Sequence, residues 1–462
     1  MPDQVKSKHR PDFKNRIISP PVMAAMQDPF APPDETIRVI VSPVESTLKP
    51  ERGVQDSKEK ILALLKEYSP RQSQFFIFAK LPKGKIDELS QRTDLVDHIW
   101  SDQKCYAHLL DSVDTVKASA CWRTFGSLGA GITWAILDTG INADHPHFSS
   151  NHNINKELSR DYSDENAVPG SENVGSSLQD AEGHGTHVAG IVAGIAPPGQ
   201  SYKAAAAVEG QDGAAVRDLD GCPSGMAPKA KLISVKVLDD SGEGSSSSAI
   251  CALEYLRKVN ENSREIKVDG ANLSLGYPFD PKWYGCGHSP LCEEVNRAVM
   301  SGIVVVISCG NAGSGNATLD TGAVVPVSIG LSIADPANAE EAIAVGSVHK
   351  TAPHTYGTSY FSSKGPTADG RQKPDLLAPG EKVISCSADL QHGYQYREDS
   401  GTSMAAPHVS GAIAAFLSVR KEFRGSPRKV KEIFKRSATD LGRDVNFQGA
   451  GLVDLFRALG SV

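Results

Sequence analysis

From about residue 130 onward, short continuous apolar runs alternate with segments whose apolar positions recur at helical spacing. ITWAILD (132–138), KLISVKVLD (231–239), DGANLSLG (269–276) and IVVVISCG (303–310) have strand length and the near-unbroken apolar character of strands covered on both faces. Between them GTHVAGIVAGI (185–195), SSSAICALEYLRKV (246–259) and EEVNRAVMSG (293–302) read as helices. This alternation predicts an α/β domain built on a mostly parallel sheet with helices on both faces. In such sheets ligands gather outside the carboxyl ends of the strands, where this chain carries Asp138, the 272–276 stretch and Asn311. No repeat with a period of about 20–50 residues is present, which excludes solenoids and propellers.

The chain ahead of residue 105 has a different texture. Residues 1–35 are polar and punctuated by proline, and predict a flexible arm. Within 36–104, IRVIVSPV, QFFIFAKLP and VDHIWSD read as strands, and DSKEKILALLKEY and KIDELSQRT as helices. The pattern is a small α+β unit with helices on one face of a sheet. It holds no clustered histidines, cysteines or paired carboxylates, so its chemistry is not visible. The second domain is expected over 105–462, with insertions near 196–224 and 277–292.

Composition narrows the class. Hydrophobic residues at 40% and charged residues at 22% suffice for a sizeable core. A net charge of −7 lacks the basic surplus that neutralises phosphates, so no nucleic-acid partner is expected. The best apolar run, 303–307, is far short of the roughly 18 residues of a membrane span, and no membrane partner is expected. The positive charges near the N-terminus have no apolar stretch behind them and do not form a secretory signal. A cytoplasmic location follows as an expectation, with the eight cysteines as reduced thiols.

Three segments carry candidate chemistry. Asp138 ends an apolar strand in AILDTGINADHPHF, His184 precedes a small-residue helix in GHGTHVAGIVAG, and Ser403 opens another in GTSMAAPHVSGAIAAFL. Carboxylate, imidazole and hydroxyl are the parts of an activated nucleophile, in which the base takes the serine proton and the acid fixes its tautomer. A serine at a helix N-terminus also points its N–H at a developing oxyanion. Taken singly each residue has a structural reading, since a strand-end aspartate is most often a cap or turn residue. His184 and His187 lie three apart, but neither the glutamate of HExxH nor a third ligand follows, which argues against zinc. The glycine-rich stretch 310–315 is followed by no GK[ST], which argues against a phosphate loop.

Together, and in this order, the three segments resemble the signature blocks of the subtilisin-like serine proteases, the subtilases. The resemblance covers roughly residues 111–459 and extends to ISCGN, ANLSLG and DGRQKPDLLAPG. It implies a three-layer catalytic domain and a serine endopeptidase acting on proteins or peptides, with Asp138 as orienter, His184 as general base and acid, and Ser403 as nucleophile. Asn311 and the Ser403 N–H would form the oxyanion hole. The substrate would pair as an extended strand with segments containing Gly242, Glu243, Ser274, Leu275 and Gly276. Ala312 at the rim of the primary pocket implies a neutral, apolar residue there. Tyr277 stands where many relatives have a second glycine.

The resemblance also carries departures. Where subtilisins place a calcium-binding aspartate, nine residues beyond the catalytic one, this chain has His147. That site is expected to be lost, leaving no metal and no redox or nucleotide cofactor. Asp212, Asp218 and Asp220 in the first insertion could form another calcium site or an acidic solvated loop. Cys286 and Cys292 could bridge or remain free thiols, and Cys309 reads as a small buried residue. The 36–104 unit has the size and element order of a ferredoxin-like prodomain, an inhibitor and folding template released by self-cleavage between about 101 and 114. A dedicated processing protease for one partner, and a peptide-binding scaffold with an idle triad, are the alternatives.

Overall fold

The computed structural model describes residues 17–27, 36–44, 50–102, 111–164, 173–207, 214–219, 221–280, 282, 285–319 and 322–462. The chain divides into two compact units, Met1–Tyr106 and Ala107–Val462.

In the first unit, helix α1 (Pro20–Gln27) precedes β1 (Thr36–Pro43), α2 (Pro50–Leu64), the short β2 (Arg71–Gln72), β3 (Ile77–Pro82), α3 (Lys83–Ser90) and β4 (Val96–Ser101). The strands form an antiparallel sheet in the order β2-β3-β1-β4. Its inward residues Val39, Val41, Ile77, Leu81 and Ile99 pack with Ile61 of α2 and Ile86 and Leu89 of α3. The expectation of a flexible arm over 1–35 does not hold for residues 17–27. Ile17, Ile18 and Val22 belong to the same core, and the Ser19 N–H donates to the Ile99 carbonyl at 3.0 Å. The prolines that suggested an arm open α1, the one place in a helix where a missing N–H is harmless.

The second unit begins its sheet with β5 (Thr133–Asp138) and β6 (Arg160–Asp161), followed by helix α4 (His184–Val192). A hairpin, β7 (Tyr202–Ala207) and β8 (Ala214–Leu219), precedes β9 (Lys231–Lys236), α5 (Ser246–Glu261), β10 (Gly270–Leu273), α6 (Pro290–Met300) and β11 (Val304–Ser308). A second hairpin, β12 (Ser314–Thr318) and β13 (Val324–Ser328), leads to β14 (Ile343–His349), β15 (Leu376–Glu381), β16 (Val383–Cys386) and β17 (Tyr396–Asp399). The chain closes with α7 (Thr402–Val419), α8 (Pro427–Ser437) and α9 (Leu455–Gly460).

Seven strands in the order β15-β14-β11-β10-β5-β9-β6 make the central sheet, and every pairing is parallel. Alternation along each strand sends residues to opposite layers. Trp134 and Ile136 of β5 join Val188 and Val192 of α4 and Ile413 and Phe416 of α7 in one core. Ala135 and Leu137 join Leu253 and Leu256 of α5 and Val295 and Val299 of α6 in the other. The domain is therefore a three-layer α/β structure. Helix α7 is long and apolar enough to cross a bilayer by length and composition, although Ser, His and Pro interrupt its apolar run. It lies inside the fold, with 83% of its residues buried.

Neither insertion is a plain loop. The first supplies β7 and β8, and β7 extends a second sheet, β16-β17-β7-β8, by pairing with β17. In the second, the backbone of Tyr277 pairs with Asp335 in both directions, at 2.8 and 2.9 Å, and its hydroxyl donates to Ser289 Oγ at 3.1 Å.

Candidate active site

Asp138, His184 and Ser403 sit at the carboxyl edge of the parallel sheet and are brought together by β5, α4 and α7. Asp138 is fully buried at the last position of β5. Its Oδ1 accepts from the Thr139 N–H at 2.8 Å and from His184 Nδ1 at 2.7 Å, while Oδ2 has no partner. Burial disfavours the His184 imidazolium, but the Asp138 charge and hydrogen bond, with Glu182 and Asp399 beyond, outweigh it and raise the group to about 9. Because Nδ1 is committed to Asp138, the Nε2 face is the one left to exchange protons.

A cap that the sequence reading did not single out fixes the start of α4. The Asp180 carboxylate accepts from the N–H groups of Gly183 and Thr186 at 2.8 Å each, and from the hydroxyls of Thr139 and Thr186 at 2.8 and 2.6 Å. One aspartate thus ties the helix carrying His184 to the loop carrying Asp138. Gly185 permits the close approach, since a Cβ there would lie 2.1 Å from the Gly140 carbonyl. Sequence alone gives no capping signal for this contact, because Asp180 lies three residues ahead of the N-cap Gly183 and reaches the helix only through the intervening turn.

Ser403 is the second residue of α7. Its hydroxyl donates to the Ser274 carbonyl at 3.2 Å, not to His184, so proton transfer requires it to leave that partner. Asn311 follows the end of β11. Its Oδ1 accepts from the Thr402 N–H at 2.9 Å and the Thr402 hydroxyl at 3.0 Å. A backbone N–H can only donate, so the amide oxygen must face Thr402 and the NH₂ group is turned away from it. Thr402, which the sequence reading passed over, is the residue that orients Asn311.

These groups open into a cleft of about 970 Å³. Gly242 and Glu243 line it together with Ser274, Leu275 and Gly276 and with Asn311, Ala312, Thr402 and Ser403. The 277–292 insertion contributes Tyr277, Pro278 and Phe279 to the lining. Residues 331–334 also line it, packed there from a distant part of the chain with no local sequence signal.

His147 is buried, with Nδ1 3.1 Å from the Tyr396 hydroxyl and Nε2 3.2 Å from the Ala193 carbonyl. Its ring fills the space beside Gly194, where a Cβ would lie 2.4 Å from the imidazole. Burial holds this imidazole neutral, down to about 3. An imidazole, a phenol and one carbonyl in an aromatic pocket do not fit a hard cation, which takes six or more oxygens, often carboxylates. Among the described residues no group of three or more His, Cys, Asp or Glu side chains converges as metal ligands would. Asp218 lies exposed on β8, and Asp212 and Asp220 fall outside the described residues.

Cys286 and Cys292 are both free and buried, so the bridging alternative does not form. Cys309 is buried, its thiol pushed up to about 12 by burial.

Residues 129–451 match the model of the subtilase family. The chain is similar to serine protease AprX of Bacillus subtilis, 32% identical over 71% of this chain and 65% of that protein. It is similar to the major intracellular serine protease of Bacillus subtilis, 31% identical over 71% of this chain and 80% of the other. With subtilisin Savinase of Lederbergia lenta it shares 34% identity over 71% of this chain and 91% of the other. The matched stretch thus spans just under two thirds of AprX and most of the other two.

Proposed function

Because the chain belongs to the subtilase family and is a subtilisin-like serine endopeptidase, we propose that it cleaves proteins or peptides through Asp138, His184 and Ser403 and an acyl-enzyme. His184 Nε2 takes the Ser403 proton as Oγ attacks the substrate carbonyl. Asp138 keeps Nδ1–H oriented and stabilises the imidazolium that forms. The tetrahedral oxyanion is received by the Asn311 NH₂ group and the Ser403 N–H at the start of α7. Collapse expels the amine, to which His184 returns the proton, and water then repeats the sequence on the acyl-enzyme. The 2.7 Å contact between His184 and buried Asp138 carries this reading, because it fixes both the tautomer and the basicity the reaction needs.

The first unit is proposed as a prodomain. Its four-stranded antiparallel sheet, with three helices packed into one core with it, and its position ahead of the catalytic unit, support that role. A long-range parallel sheet folds slowly, so a covalently attached template would lower the barrier. Cleavage is proposed between about Ser101 and Asp114, most of which lies outside the described residues. A cytoplasmic location is proposed from the similarity to a relative named as intracellular.

A serine-directed fluorophosphonate should label Ser403, and intact-mass analysis should show a cut wild type and an uncut Ser403→Ala. Absence of labelling would return the chain to a peptide-binding scaffold. Hydrolysis of one partner but not of casein would make it a dedicated processing protease.

A further inference from the structure

Helix α7 contains a proline four residues after the proposed nucleophile. Pro407 has no N–H, so the Ser403 carbonyl lacks the donor that an α-helix would give it. The carbonyl is not left unsatisfied: the Ser274 hydroxyl donates to it at 2.8 Å. Ser274 lies just past β10, in the segment that lines the cleft.

The polarity of the remaining contacts follows from that bond. The only proton on Ser274 Oγ is spent on Ser403, so toward any other partner this oxygen can only accept. Asn272 Nδ2 supplies the donor at 2.9 Å. The Asn272 amide is thereby turned with its oxygen toward α7, where the Ser410 hydroxyl donates to it at 2.8 Å. Ser410 stands seven residues after Ser403, two helical turns on and on the same helix face. Ser410, Asn272 and Ser274 are all buried, and Asn272 is held in the middle of the sheet between Ile136 of β5 and Val306 of β11.

We infer that Ser410 and Asn272 are positioning residues for the reaction: through the Ser274 hydroxyl they hold the main chain of Ser403 in place of the helical bond that Pro407 removes. The inference rests on Ser403 being the nucleophile. Its consequence is that the nucleophile is registered to the central sheet and the peptide-binding edge, and only loosely to its own helix. Breaking the chain of bonds at Ser410 or Asn272 displaces the Ser403 backbone, and so its oxyanion N–H, without changing a residue that lines the cleft.

The test is a kinetic cycle on a peptide substrate. Ser410→Ala leaves the Asn272 oxygen unpaired in the core and should lower kcat about tenfold with KM changed less than twofold. Pro407→Ala restores an N–H that can donate to the Ser403 carbonyl. In that background Ser410→Ala should lower kcat only about twofold. Because the contacts act in series, Ser274→Ala with Ser410→Ala should lose no more than Ser274→Ala alone, a comparison that needs no change at Pro407. Equal losses in both backgrounds, additive losses in the series pair, or an effect confined to KM or to melting temperature would overturn the inference. A wild type that neither cleaves the peptide nor labels with fluorophosphonate would overturn the proteolytic reading as well, whereas an active wild type with a fully active Ser410→Ala overturns the positioning role alone.

Discussion

Lowering the pH from 7.5 to 5 should cost this protein a large share of its stability, because four of its histidines are buried neutral. Burial lowers His145 and His408 to about 4, and His147 and His187 to about 3. Their surroundings do not accommodate a second proton. His408 Nδ1 meets the Met404 carbonyl at 2.8 Å and His187 Nε2 the Arg397 carbonyl at 3.1 Å, and the other nitrogen of each has no partner. In the unfolded chain all four titrate near ~6.5. Above that pH they are neutral in both states and contribute no pH dependence. As pH falls through and below ~6.5 the unfolded state gains protons that the folded state does not, so stability is lost. At pH 5 the loss is about 2 kcal/mol per group, or about 8 kcal/mol for four. His184 acts in the opposite sense. Its folded value is raised to about 9, so its stabilisation is complete below ~6.5 and is lost as pH rises through 9. Between pH 7.5 and 5 it returns about 1 kcal/mol, leaving a net loss of about 6–7 kcal/mol against a typical total of ~5–15. The assay is urea unfolding followed by circular dichroism at pH 7.5, 6.5 and 5, on Ser403→Ala to prevent self-digestion. His408→Leu should remove one proton from the slope and shrink the loss at pH 5 by about 2 kcal/mol, whatever it does to stability at pH 7.5. Stability that is flat from pH 7.5 to 5, or a slope unchanged in His408→Leu, would refute the reasoning.

The same elevation of His184 sets the pH–rate profile: kcat/KM should climb through the neutral range toward an inflection near 9, and Asp138→Asn should move that limb down toward ~6.5 along with a large loss of activity. A wild-type limb at or below ~6.5 would contradict the Asp138 contact. Asn311→Ala should lower kcat by roughly 10²–10³, a range carried over from subtilisin itself, and Thr402→Val should lower it less, by loosening the amide it orients; changes in KM alone would remove both from the oxyanion hole. Glu182 and Glu243 line a cleft whose described lining includes no lysine or arginine. Peptides with lysine where they meet these carboxylates should be cut about 2–5-fold faster than neutral counterparts, less so in high salt, and equal rates at all four positions before the cut would refute this.

Unbroken apolar runs such as 132–138 and 303–307 report burial on two faces directly, which is why the parallel sheet and its helices were legible. The candidate triad was legible because its residues occur in short blocks whose composition is tied to strand ends and helix starts. What stayed hidden depends on partners far away in sequence. Nothing in YKAAAA marks a strand, yet in β7 Tyr202, Ala204 and Ala206 are buried and alternate with more exposed neighbours, because β17 is there to pair with it. Thr402 has no signal as an orienting residue until β11 brings Asn311 beside it. Ser410 reads as a polar interruption in an apolar helix, and only the approach of Asn272 gives its hydroxyl a partner.

The position of His147 joins stability to the proposed chemistry through a final prediction. A calcium site bound 100-fold above its dissociation constant stabilises by about 2.7 kcal/mol. For a domain that runs from Ala107 to Val462 that is roughly 3–4 °C in melting temperature, the drop a chelator produces when such a site is emptied. At the position where subtilisins hold that ion, this chain packs His147 against Tyr396, and Tyr396 against Tyr202 of the inserted hairpin, with ring centroids 5.8 Å apart in each pair. We propose that aromatic burial at His147 takes the place of ion coordination there, which would make this part of the fold indifferent to EDTA. The expected change on adding EDTA at pH 7.5 is therefore at most about 1–2 °C. The same substitution makes the position sensitive to protons, since protonating His147 would place a charge among buried rings. Tyr202→Ala should lower the melting temperature at pH 7.5 by opening the cluster, and should also weaken the acid dependence by letting water reach His147. A fall of about 3 °C or more with EDTA would refute this account and would direct attention to the acidic residues of the first insertion.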